Sequence, residues 1–217
     1  MSPELEQFLN ANASAIFGLL GALGGGILSF IASLLLKRNE FSLHLRSKIV
    51  DRQITAHERI LNLAREMRVM VSYGLLGGDG EVTRGPRILL SKEEFESWFT
   101  RFSEQQLEGS TWLTTATKRE VAFVQDYLVT LHMHLADIPS EKFFDLAQLI
   151  RQDFIDLSSS LEKIAFTFFE TGIHRAKPDS IQDWHKYNRI VTEKRLTSTA
   201  LLQNIAVFKG ALSNVPK

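Results

Sequence analysis

The side chains with chemistry to offer are few: six histidines, no cysteine, and one arrangement in which an arginine precedes a histidine by five positions, Arg52-Gln53-Ile54-Thr55-Ala56-His57. Frequency weighs against reading much into it. Fourteen arginines and six histidines in 217 residues produce roughly one such pair by accident when a few spacings are allowed, and Arg38 with His44 supplies a second. His132 and His134 look like a metal-ligand pair, yet residues two apart on a helix point about 200° away from each other, so one ion cannot readily take both. The glycine-rich stretch 74–80 lacks the Gly-Lys-Ser/Thr ending with which a phosphate-binding loop holds a nucleotide. His185, beside Trp184 and near Asp183 and Arg189, is at most a polar cluster. These residues predict no metal and no cofactor.

The Arg52-x4-His57 spacing resembles the Arg-x4-6-His motif of HEPN ribonucleases. That resemblance implies an Arg/His pair, completed by a second subunit, that activates a ribose 2′-hydroxyl and stabilises the charged phosphate. The position departs from the family, whose motif opens a late helix of the bundle, whereas Arg52 lies in the first helix after a long apolar segment. A membrane-bound ribonuclease using Arg52 and His57 is therefore an alternative, and the chain reads as a non-enzyme rather than an enzyme.

Everything else is positioned by that apolar segment. Residues 13–36, ASAIFGLLGALGGGILSFIASLLL, carry no charge, and Lys37-Arg38 follows at once. At about 1.5 Å per residue a helix over this stretch measures roughly 36 Å, enough to cross a hydrocarbon core of about 30 Å with some tilt. A secretory signal begins with basic residues, but Met1-Ser2-Pro3-Glu4-Leu5-Glu6 has none. The sequence thus predicts a retained, single transmembrane helix, with a glycine-rich apolar hairpin inside a soluble core as the competing reading. Lys37, Arg38, Arg46, Lys48 and Arg52 all fall on its C-terminal side, which predicts an outside N-terminus and a cytoplasmic remainder at a bacterial inner membrane. Lys37 and Arg38 then meet the lipid headgroups, and the absence of cysteine suits a reducing compartment.

Turning each position by about 100° sorts the segment into two faces. Gly18, Gly21, Ala22, Gly25, Gly26, Ser29 and Ser33 share one arc, while Phe17, Leu20, Leu23, Ile27, Phe30 and Leu34 lie on the other. Lipid tails are as apolar as leucine, so helices associate in a bilayer by close backbone approach, which rows of small residues permit. The small arc is accordingly the predicted homo-oligomer interface, or the lining of a pore in a ring of subunits.

The rest of the chain predicts an all-α fold. Residues 1–12 form a short helical segment, 13–36 the span, 37–73 a long basic juxtamembrane helix, 74–90 a glycine-rich loop, and 91–217 a helical bundle. Turn signals fall at Asp79-Gly80 and Gly85-Pro86. Ser91 with Glu94 and Thr117 with Glu120 fit the capping-box spacing, and Ser140 follows Pro139, so helices are expected to start near 91, 112–118, 140 and 180. Net charge is zero overall but alternates by block, +4 over 37–73, −7 over 91–170 and +5 over 171–217, which predicts acidic middle helices packed beside basic neighbours. Neither basic block has the consecutive cations and interleaved aromatics of a nucleic-acid surface, so nucleic acid is not the favoured partner.

A single N-terminal membrane helix, a basic stalk and a small helical bundle resemble the organisation of bacterial membrane-anchored accessory proteins of phage-defence systems, including the HEPN-like membrane accessory of type VI-B CRISPR loci. The resemblance implies an oligomeric membrane effector that perturbs the inner membrane, with lipid and its own copies as partners. A non-enzymatic scaffold recruiting a cytosolic protein is a further alternative.

Overall fold

The computed structural model describes residues 3–76, 82–172 and 189–213. Its elements confirm an all-α protein with a long N-terminal helix followed by a small helical bundle, seven α-helices among the described residues. Residues 1–48 and 49–217 form two units.

In the first unit, helix α1, which spans Pro3–Arg68, is continuous through all of residues 13–36. The hairpin of the competing reading does not form: Gly24-Gly25-Gly26 leaves the helix unbroken. The C-terminal part of α1 belongs to the second unit, where Ala56, Ile60, Leu63, Ala64 and Met67 are buried at the three- and four-residue spacing of one helix face. Arg65 and Arg68 close its last turn, where cations oppose the negative end of the helix dipole.

The expected helix to residue 73 and loop over 74–90 need correction. α1 ends at Arg68, and Met70–Leu76 (β1) pairs antiparallel with Val82–Pro86 (β2) in the register Met70↔Pro86, Val71↔Gly85 and Ser72↔Arg84. The run Val69-Met70-Val71-Ser72-Tyr73 favours extended backbone, because β-branched and aromatic side chains suit a pleated surface. A glycine-rich segment between two such runs is a hairpin signal; the Asp79-Gly80 turn itself lies outside the described residues. Pro86 occupies the last position of β2, where a missing N–H is tolerated.

Helix α2 (Lys92–Gly109) starts at the expected cap, with Glu94 N–H donating to Ser91 Oγ at 3.2 Å. Helix α3 (Thr115–Leu135) is capped by Thr114 instead of Thr117: the Thr117 N–H donates to Thr114 Oγ1 at 3.3 Å. The helix expected from 140 is two, α4 (Phe143–Leu149) and α5 (Arg151–Thr167), interrupted at Ile150 where ψ is 10°. Ser140 opens a 3-10 turn rather than the helix itself. The last expected helix is likewise divided into α6 (Arg189–Thr197) and α7 (Ala200–Ser213), with Thr199 Oγ1 accepting from the Leu202 N–H; its expected start near 180 lies outside the described residues. Phe95, Phe102, Tyr127, Phe154, Leu131 and Met67 form the centre of the core.

The alternating charge blocks do pair as expected. Arg59 and Arg68 of the first basic block reach Glu108 and Glu162 of the acidic block at 2.9 and 2.6 Å, and Arg195 and Lys209 of the last block reach Glu120 and Asp137 at 2.8 and 2.7 Å. The more exposed of these pairs, such as Arg59–Glu108, contribute about 0–1 kcal/mol each, so they orient the helices more than they hold them; Arg195–Glu120 is more deeply set.

Candidate functional site: an uncovered apolar helix face

Between Phe17 and Leu36 eleven large apolar side chains are each at least 47% exposed. Soluble monomers rarely leave contiguous apolar patches beyond about 300–600 Å² in contact with water. The small arc is as open as the bulky one. A Cβ added to Gly18, Gly21, Gly25 or Gly26 would meet no atom within 4 Å, whereas at Gly109 it would lie 3.7 Å from the Ala56 Cβ. Among the described residues Gly109 has a packing partner, and the glycines of the apolar segment have none. Ala22, Ser29 and Ser33 are exposed beside them, and so are Lys37 and Arg38 beyond the apolar segment.

Arg52 and His57 do not form a joint site. Five residues separate them on α1, about 140° around the helix, and their environments differ accordingly. His57 is fully buried; its Nδ1–H donates to the Gln53 carbonyl at 2.7 Å, and Nε2 accepts the Thr114 N–H at 3.4 Å. Its ring stacks on Phe168 with centroids 3.8 Å apart. Both nitrogens are therefore committed to protein partners, and no lone pair faces a substrate. Arg52 is exposed, with Cζ 5.1 Å from the Trp112 ring centroid, above a cavity of about 340 Å³ that Arg59, Glu108 and Gly109 also line.

His132 and His134 are separated as their spacing requires. His132 lies against Phe95 and Phe99, while His134 is held below its ordinary pKa by partial burial and the nearby Lys209, with Asp137 opposing. No cluster of three or more metal-ligating side chains occurs among the described residues. A cavity of about 520 Å³ is lined by Glu66, Arg87, Glu93, Trp98 and Arg101. There the Trp98 indole N–H and the Arg101 guanidinium both donate to Glu66 Oε2, at 2.7 and 2.5 Å. His185 lies outside the described residues.

Two polar clusters escaped the sequence reading. Asp153, 7% exposed, accepts the Tyr127 hydroxyl at 3.0 Å and the N–H groups of Ala200 and Leu201 at 2.8 and 2.9 Å. It supplies negative charge to the first turn of α7. Burial, reinforced by the Asp153 charge, pushes the Tyr127 phenol well above its ordinary value of 10.0, so it remains a donor. The signal was an aspartate set between Ile150, Phe154 and Leu157 on an otherwise apolar face.

The second cluster is Glu120, which takes a bidentate contact from Arg195 at 2.8 and 2.9 Å and the Ser160 hydroxyl at 2.6 Å; the Arg195 guanidinium also covers the Phe123 ring at 3.7 Å. Burial alone would raise the Glu120 pKa, but the hydrogen bonds from Arg195 and Ser160 and the Arg195 charge outweigh it, leaving the carboxyl below its ordinary 4.5. A depressed carboxylate stabilises the fold above its unfolded pKa and loses that contribution as pH falls through the folded one. The gap between thermal melts of the wild type and Glu120→Gln should therefore be full at pH 7 and narrow as pH falls below the ordinary carboxyl value of 4.5; a gap that does not change with pH would show that the charge does not hold α6.

No family model, curated protein or solved structure matches this chain.

Proposed function

We propose that the protein is a membrane-anchored homo-oligomer that perturbs or permeabilises a bacterial inner membrane, with the N-terminus outside and the bundle in the cytoplasm. The observation that carries this reading is the helix face over 13–36, uncharged, about as long as a bilayer is thick, with eleven large apolar side chains exposed among the described residues. Lipid satisfies the bulky arc. Other copies satisfy the small arc, where Gly21, Gly25 and Ser29 allow backbones to approach closely. Ser29 and Ser33 give that arc the hydroxyls a water-lined passage favours. The organisation further supports a role as a defence effector through the resemblance noted above. The ribonuclease alternative loses support because His57 offers no free nitrogen; recruitment of a cytosolic partner by the bundle remains the reading if the membrane is not perturbed.

The test is a potential-sensitive dye and RNA integrity followed together during overexpression. Depolarisation should appear with the wild type, persist in Arg52→Ala and disappear in Ser29→Leu, with RNA intact throughout. RNA loss preceding any loss of potential would reject the reading.

A further inference from the structure

The cavity of about 340 Å³ beside Arg52 has three walls: one side of α1, the C-terminal end of α2, and the 3-10 turn Ser110–Trp112. Its size falls at the lower end of small-molecule sites. The two helices meet through small residues, since a Cβ on Gly109 would lie 3.7 Å from the Ala56 Cβ. Both residues also line the cavity, so the space between the longer side chains stays open.

The four charged groups of the lining divide into two kinds. Arg59 and Glu108 neutralise one another from facing helices, Nη1 to Oε2 at 2.9 Å. Asp51 and Arg52 do not, although they are neighbours in sequence: neither side chain has a hydrogen bond or ion pair among the described residues. Arg52 is set against the half-buried Trp112 ring, with Cζ 5.1 Å from the centroid. That contact engages the ring's π-face and consumes none of the guanidinium N–H donors. The Thr55 hydroxyl donates to the Asp51 carbonyl at 2.9 Å, which leaves its oxygen lone pairs able to accept.

A guanidinium held by an aromatic ring presents a planar donor fork that matches a carboxylate, while the Asp51 carboxylate and the Thr55 oxygen suit an ammonium group. A purely anionic ligand would meet Asp51 and Glu108, and a purely cationic one Arg52 and Arg59. A molecule carrying both charges uses each group without opposing another. The Trp112 ring and the Ala56 methyl leave an apolar wall beside them.

We infer that this cavity binds a free apolar α-amino acid, with its carboxylate on Arg52, its ammonium group on Asp51 and Thr55, and its side chain against Trp112. Asp51 and Arg52 are both exposed, and exposed charge pairs contribute little each, so the dissociation constant is on the order of 1 mM.

Ligand-observed NMR on the full-length protein in detergent tests this with leucine and its two halves: isocaproate, which lacks the ammonium group, and isoamylamine, which lacks the carboxylate. Leucine should give a saturable signal and bind about tenfold more tightly than either half. Arg52→Gln should weaken leucine about tenfold and leave isoamylamine unchanged, whereas Asp51→Asn should weaken leucine without weakening isocaproate. Because the two residues are exposed, both variants should melt as the wild type does. Equal binding of the three probes would overturn the inference, as would leucine binding that neither substitution weakens. Absence of a saturable leucine signal up to about 20 mM would overturn it as well.

Discussion

Asp153→Ala should cost the bundle about 3–5 kcal/mol, because a buried donor left without its acceptor costs about 1–3 kcal/mol and three such donors converge on this carboxylate. The donors come from two other helices: the Tyr127 hydroxyl from α3 and the first two N–H groups of α7. A helix N-terminus deprived of both its cap and its compensating charge frays. Leu201 and Ile205, buried on α7, would then lose their seat in the core. Tyr127→Phe is the control, since it removes one hydrogen bond and keeps the ring, and about 1 kcal/mol is expected. Thermal or denaturant unfolding of the two variants decides the matter. Equal, small losses in both would mean that Asp153 is not the fastening point.

If the proposed association through the small arc holds, Gly25→Leu should leave the protein monomeric in detergent while the wild type is oligomeric. A leucine side chain in the middle of the small arc holds neighbouring backbones apart, and packing in a bilayer depends on their close approach. Its effect on the isolated chain should be nil, because nothing lies within 4 Å of the added Cβ. Fold and association can therefore be read separately: the melting of the bundle should stay at the wild-type value while the mass in detergent falls. Leu20→Ala on the bulky arc should change the mass little. Retention of the wild-type mass by Gly25→Leu would place the interface elsewhere.

The long helix and the bundle were legible because both announce themselves in periodicity. The uncharged run over 13–36 and the spacing of Ala56, Ile60, Leu63 and Met67 need no distant partner to be recognised. Ser91 was legible as a cap for the same reason, since its bond to the Glu94 N–H is local. The hairpin was not, because the residues from Val69 to Tyr73 continue a helical apolar pattern while their β-branched character argues for strand, and pairing with Val82–Pro86 settles the contest. The break at Ile150 was hidden too, as neither glycine nor proline marks it. Thr114 displaced Thr117 as a cap because four threonines within 114–117 and 111 offer several registers, and the one chosen also gives His57 Nε2 its donor. The polar clusters join residues dozens of positions apart, Asp153 with Leu201 and Glu120 with Arg195, and no local pattern carries such information.

His57 shows how spacing alone misleads about a site. Its five-residue separation from Arg52 matches a catalytic motif, yet the helix turns the two side chains to different environments. What its sequence context did contain was Ala56, Ile60 and Ala64 around it, the composition of a buried face. A histidine there is held by the backbone of Gln53 and Thr114 and by the Phe168 ring, and the exposed apolar N-terminal helix is the feature on which the proposed function rests.

The most direct test of the account is labelling of single cysteines by a membrane-impermeant maleimide. Gln7 and Thr100 are both exposed and lie on either side of the apolar segment in the sequence. In intact cells with a permeable outer envelope, Gln7→Cys should be labelled and Thr100→Cys should be labelled only after lysis. Labelling of Thr100→Cys in intact cells, or failure to label Gln7→Cys until lysis, would contradict an outside N-terminus, a membrane-crossing helix and a cytoplasmic bundle.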